Sequence, residues 1–169
     1  MIRRRWAISA FLIFLMALQT GCGHNVRPEY NGHPLIYCGW LDLKEGDYKK
    51  VGYNSRAEWK IIIERINIYF LQKHVTDYCG SFKVIGAKSK TDTPPANAYH
   101  VKYNLISLDP GGTSMTVEIK IIDSDSKRII TSFTTRPTGI ESMAGVTFMG
   151  RMTTICQKIA QDISSHIYE

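Results

Sequence analysis

AYHVKYNLISLD (residues 98–109), followed by SMTVEIKIIDSDSKRIITSF (residues 114–133), decides the fold. In the first segment Tyr99, Val101, Tyr103 and Leu105 alternate with His100, Lys102, Asn104 and Ile106; in the second, Met115, Val117, Ile119 and Ile121 repeat that period. Successive side chains on a strand point to opposite faces, so the period predicts two half-buried strands. Asp109-Pro110-Gly111-Gly112 turns the chain between them, Asp123-Ser124-Asp125-Ser126-Lys127 turns it again, and Ile129 to Thr135 returns as a third strand. The expectation is an antiparallel meander with one apolar face that other elements must cover.

The cover lies on either side of the meander. Downstream, Phe148, Met152, Ile155, Ile159, Ile163 and Ile167 recur every three or four residues, an amphipathic helix running nearly to Glu169. Upstream, Asn54-Ser55 offers an N-cap, and Trp59, Ile62, Ile63, Ile66 and Phe70 mark a second helix, its stripe read as core packing. Before that helix, LIYCGWLDL (residues 35–43) is a continuous apolar run, suited to a strand buried toward the middle of a sheet. Phe82 to Ala87 reads as a further strand before a loop from Lys88 to Ala98; either it or the Ile129 strand belongs at an edge. The order is β-α-β-β-β-β-α. It predicts an α+β two-layer sandwich, a mostly antiparallel sheet of four to five strands packed by two amphipathic helices.

The N-terminus carries different information. Arg3, Arg4 and Arg5 precede an apolar run from Trp6 to Leu18, and small residues lead to Cys22. A basic region, a short apolar stretch and a small-residue cleavage site make an export signal, and the apolar stretch is shorter than the ~20 residues a membrane-spanning helix needs. LQTGC resembles the signal of bacterial lipoproteins, with Leu18 one position further from the cysteine than usual. That resemblance implies a signal peptide over residues 1–21 and lipidation of Cys22. Gly23 to Pro34, with Pro28, Asn31-Gly32 and Pro34, reads as a tether or irregular lead-in of at most ~40 Å, giving a lipidated cysteine and short tether over 22–34 and one globular domain over 35–169. Gly23 stands where resembling lipoproteins held at the inner membrane carry Asp, so the expected location is the periplasmic face of an outer membrane in a diderm organism.

About 148 mature residues suffice for one domain with a real core. Of the formal charge of +6, three units belong to Arg3, Arg4 and Arg5, which argues against a nucleic-acid partner. Lys44, Lys49, Lys50 and Arg56 read as a solvated face, or at most as contacts to anionic headgroups. In an oxidising compartment Cys38, Cys79 and Cys156 allow one disulfide, with Cys38 and Cys79 the favoured pair; the alternative is three buried thiols acting as small apolar groups. The five histidines show no ligand spacing, and Asp123 and Asp125 lack the downstream glutamate of a calcium loop, so no metal site is expected and the two aspartates read as turn formers. No serine elbow and no phosphate loop is present, and Glu58, Glu64 and Glu118 fall on expected outer faces. Catalytic residues and cofactors are therefore expected to be none.

The cysteine-anchored leader, AYHVKYNLISLD, SMTVEIKIIDSDSKRIITSF and the terminal helix together resemble, by element order, small envelope lipoproteins, including the periplasmic domains of curli-secretion and penicillin-binding-protein activator lipoproteins. The resemblance implies a non-enzymatic accessory role in an envelope assembly, anchored by lipid and bound to another protein. The segment from Thr135 to Gly150, with Met143, Val146, Phe148 and Met149 set among glycines, is the most suggestive contact beside an exposed edge strand; its alternative reading is a long connection whose Phe148 opens the terminal helix. Two alternatives are a lipid or glycolipid handling protein, resembling the lipopolysaccharide-assembly lipoprotein, and an inhibitor of a cell-wall hydrolase.

Overall fold

A computed structural model describes residues 25–44, 46–140 and 147–169. The leader, Cys22 with its lipidation, and Met143 and Val146 lie outside the described residues. Five strands form one sheet: β1 (Leu35–Cys38), β2 (Lys83–Gly86), β3 (Ala98–Leu108), β4 (Met115–Asp123) and β5 (Ile129–Thr135), in the spatial order β2-β1-β3-β4-β5. The meander β3-β4-β5 is antiparallel, and β1 pairs in parallel with β2 and β3. The expected placements agree: the apolar 35–43 run supplies an interior strand, though only Leu35–Cys38 is extended, and the two edges are β2 and β5.

The period of two works as the sequence implied. Met115, Val117, Ile119 and Ile121 are buried along β4, as are Tyr99, Val101 and Tyr103 along β3. Between Leu105 and Ser107 the β3–β4 register shifts, and this irregularity changes the phase so that Leu108 turns inward while Ile106 stays exposed.

One sheet face is covered by helices. After the short α1 (Asp47–Lys50) comes a continuous helical stretch: α2 (Arg56–Arg65), a π-helical segment (Ile66–Leu71) and α3 (Gln72–Tyr78). Ser55 caps α2, its hydroxyl accepting from the Glu58 N–H. Last comes α4 (Phe148–Ile167), capped by Thr147 through the Gly150 N–H. It buries Phe148, Met152, Ile155, Cys156, Ile159, Ala160, Ile163 and Ile167 as one stripe. None of the helices among the described residues is long and apolar enough to cross a membrane.

The segment expected as a tether is, over its described part, docked on the domain. Val26 bridges to Tyr168, the Arg27 N–H donates to the Ile167 carbonyl at 2.9 Å, and the Arg27 guanidinium reaches the Tyr168 and Ser165 carbonyls, both at 3.1 Å. Tyr30, in a 3-10 turn (Pro28–Tyr30), is buried edge-on against Tyr99 and donates to the Thr131 hydroxyl at 2.7 Å. Aromatic burial and these backbone partners make it an irregular lead-in held against the domain, the other reading that its turn-forming composition allows. Cys22 precedes Asn25 by only three positions, a span of at most about 10 Å.

The molecule therefore has two poles. The C-terminal end of α4, the 25–34 segment and the Asp123–Lys127 turn share one. The other holds the start of α4, where Phe148 packs 5.6 Å from Tyr53 and 5.8 Å from Trp59, ring to ring, and meets the Pro110–Gly112 turn. Twenty helical residues put the ends of α4 about 30 Å apart.

Candidate functional site

Of the residues expected to contact a partner, Phe148 and Met149 are described, and both pack against the core. Phe148 is only 6% exposed, wedged between Tyr53, Trp59 and Gly112, and is a core residue, not a contact residue. Gly112 has φ +67, and a Cβ there would stand 2.5 Å from the Phe148 ring, so turn and helix start interlock. Met149 is half-buried and packs against the same core. Just before the undescribed 141–146 stretch, however, Ile140 is 64% exposed. Its neighbour Gly139 is fixed at this pole by donating to the Thr113 carbonyl at 2.9 Å.

The four basic residues gather around the same pole. Lys49 and Arg56 line an open recess with Gly46 and Tyr48, and Lys50 pairs with Asp47 at 2.9 Å. The Lys44 carbonyl accepts from the Trp59 indole at 3.2 Å. They stand at the end of the domain opposite the described N-terminal segment.

The expected Cys38–Cys79 disulfide is not formed: Cys38, Cys79 and Cys156 are all free and buried. The alternative reading of the sequence, three apolar thiols, describes them. Cys38 and Cys156 are interior to the sheet–helix core, and burial pushes all three thiols up to about 12. Disulfide formation needs a thiolate, which burial withholds at neutral pH. The Tyr103 phenol lies among them, raised well above its ordinary value by burial and by the neighbouring Cys38.

At the opposite pole the structure assembles a group that no sequence spacing announced. His33 Nε2 lies 3.3 Å from Asp123 Oδ2 and 3.9 Å from Asp125 Oδ2, and ligand atoms of the three residues all fall within 4.8 Å of one another. Each member is held from behind. Tyr99 Oη accepts the backbone N–H groups of Gly32 and His33 at 2.8 and 3.2 Å, and the His33 ring leans on the Tyr99 ring at 4.8 Å. Asp123 Oδ1 accepts the N–H groups of Asp125 and Ser126, both at 2.9 Å, which is the expected turn-forming role and leaves Oδ2 for His33. Those contacts, the Ser126 N–H first, hold the Asp123 carboxyl down at about 2. Asp125 accepts the Asn97 N–H at 3.0 Å. The Asp-x-Asp pair in a turn was a visible signal; its third member, about ninety positions earlier, was not.

No protein-family description matches this chain, and no curated protein matches it. Similar solved structures include two bacterial chains. A chain from Caulobacter crescentus, provisionally described as a lipoprotein, aligns at 10% identity over 80% of this chain and 86% of its own, with a TM-score of 0.36. A chain from Helicobacter pylori, provisionally described as a homolog of the neuraminyllactose-binding hemagglutinin, aligns at 11% identity over 86% of this chain and 88% of its own, with a TM-score of 0.40.

Proposed function

We propose that the protein is a lipid-anchored, non-enzymatic subunit of a cell-envelope assembly that holds a protein partner at the pole remote from its membrane. The observation that carries this reading is the two-pole layout. The chain enters the domain beside the C-terminal end of α4, tied there by Val26 and Arg27, while exposed Ile140 and the basic set stand about 30 Å away at the other end. A short anchor at one end would present the other to whatever the assembly contains. Glu58 and Glu64 are exposed on the outer face of α2, which suits a scaffold better than an acid–base pair in a cleft.

The test compares proteins that co-purify with the wild type, with Cys22→Ser and with Ile140→Asp from detergent-solubilised envelopes. A stoichiometric protein partner retained by the wild type, lost with Ile140→Asp and reduced when the anchor is removed, supports the proposal. A partner that survives Ile140→Asp moves the interface elsewhere, and retention of lipid or glycan with no protein replaces the proposal by the ligand-handling alternative.

A further inference from the structure

We infer that His33, Asp123 and Asp125 form a binding site for a divalent transition ion of the Zn²⁺ type, which staples the N-terminal segment to the β4–β5 turn. The donor set is one imidazole nitrogen and two carboxylate oxygens, drawn from two segments about ninety residues apart in sequence. Imidazole suits Zn²⁺ and its neighbours, whereas Ca²⁺ and Mg²⁺ favour all-oxygen shells.

The independent observation is the state of His33 Nε2. The side chain is 11% exposed, its Nε2 is inaccessible to solvent, and this atom stands at ion-pair distance from Asp123 Oδ2 and Asp125 Oδ2 without the alignment of a hydrogen bond to either. An N–H on Nε2 misses both oxygens. With the proton on Nδ1 instead, a lone pair confronts two anionic oxygens, an arrangement that a bridging cation turns from repulsive to attractive. The Oγ of Ser124, between the two aspartates in sequence, is likewise buried without a partner. Two of the four such side-chain atoms among the described residues therefore belong to this corner.

The spacing fits. With Zn–N and Zn–O distances near 2.0–2.2 Å, two ligands of one tetrahedral ion stand about 3.4 Å apart, and His33 Nε2 and Asp123 Oδ2 stand 3.3 Å apart. Asp125, the more exposed carboxylate, closes the rest by a side-chain adjustment. The backbone donors behind both aspartates and the Tyr99 hydroxyl behind the His33 backbone orient the set before any ion arrives. Partial exposure of the aspartates leaves room for water in the remaining coordination position.

The test uses the full-length protein, processed by its host, purified in detergent and stripped with EDTA, titrated with Zn²⁺ by calorimetry and followed by thermal melting. The expected result is one saturable equivalent and a melting temperature raised by about 5–10 °C at a free Zn²⁺ concentration of about 100 times the dissociation constant. His33→Gln and Asp125→Asn, each folded with an unchanged melting temperature in EDTA, are expected to weaken binding at least about tenfold, while His74→Gln leaves it unchanged. Asp125→Asn keeps an oxygen for the Asn97 N–H, so its folding is not at stake. Absence of saturable binding, binding that survives both variants, or displacement of Zn²⁺ by an equal concentration of Ca²⁺ would overturn the inference.

Discussion

Asn67 is the residue whose replacement the structure prices most clearly. It sits in the π-helical segment, 6% exposed, and its amide acts as a two-way clamp on the chain leaving β1. Its Oδ1 accepts the Leu41 N–H at 2.7 Å, while its Nδ2 donates to the Leu41 carbonyl at 3.1 Å and to the Ile63 carbonyl at 2.9 Å. Asn67→Leu keeps the branched four-atom outline of the side chain in a somewhat larger volume and removes all three bonds. Leu41 is itself fully buried, so its N–H and carbonyl lose their partner where water does not reach. Each stranded group costs about 1–3 kcal/mol. Leucine recovers part of that through apolar burial, leaving an expected loss of about 2–4 kcal/mol. For a domain of this size the melting temperature falls by about 10 °C. Urea unfolding followed by circular dichroism measures the loss directly. Asn67→Asp separates bonding from shape, because it retains the acceptor for Leu41 N–H but sets an oxygen against the Leu41 carbonyl. A loss below about 1 kcal/mol for Asn67→Leu would refute the claim that this clamp holds the β1 exit against the helix.

Other outcomes follow from the same coordinates. Phe148→Ala empties the space between Tyr53, Trp59 and Gly112 and is expected to cost about 3–5 kcal/mol, whereas Ile140→Asp, at an exposed site, stays within about 0.5 kcal/mol; equal losses in urea titrations would contradict the division of that segment into core and surface. Cys38, Cys79 and Cys156 are expected to resist maleimide at pH 7.5 in the folded protein and all to react in urea without prior reduction; a thiol count that rises only after reduction would mean a disulfide. Burial first, then the nearby Lys102 and Lys127, hold His100 below the ordinary imidazole range. The unfolded chain therefore takes up a proton near pH ~6.5 that the folded one refuses, and stability falls as pH drops through that value. His74 is lowered too, chiefly by burial and by Lys73. His100→Gln should flatten, without abolishing, the decline in urea midpoint between pH 7.5 and 5.5; an unchanged slope would remove His100 from the explanation.

Most of the fold was legible because its signals are local. The β4 and α4 periodicities each span a whole element, that of β3 runs as far as Leu105, and Asp123–Lys127 carries its turn chemistry in its own side chains. The long helix was legible only in part. Trp59, Ile62 and Ile66 follow α-helical spacing, and continuing it selects Phe70. The π-helical segment adds one position between Ile66 and the next fully buried residue, so Leu71 and then Val75 take the core while Phe70 is only half-buried. Nothing in the apolar pattern encodes that step, which begins beside Asn67, a polar residue whose partners are backbone groups at Leu41 and Ile63. The same limit explains the 25–34 segment. Proline, asparagine and glycine describe its turns correctly, but whether such a segment is free or docked depends on Tyr30 finding Tyr99 and Arg27 finding the last carbonyls of α4.

The candidate cation site shows why a site can be hidden when the fold around it is not. Spacing motifs work when one element carries several ligands, because a helix or loop then fixes their geometry locally. Here the only local pair is Asp123 and Asp125, and one oxygen of Asp123 is already committed to its turn. The third donor arrives because the 25–34 segment is held against the end of the sheet by Tyr99, which buries its ring in the core and offers its hydroxyl to Gly32 and His33. Tyr99 was readable as an inward residue of β3, but its hydroxyl's partners were not, since they depend on how the 25–34 segment docks. Replacing Tyr99 with Phe keeps the core ring and removes that acceptor. It is therefore expected to loosen His33 from the two carboxylates and weaken Zn²⁺ binding while the sheet stays folded. Zn²⁺ affinity unchanged in Tyr99→Phe would show that His33 is positioned by its ring contacts alone.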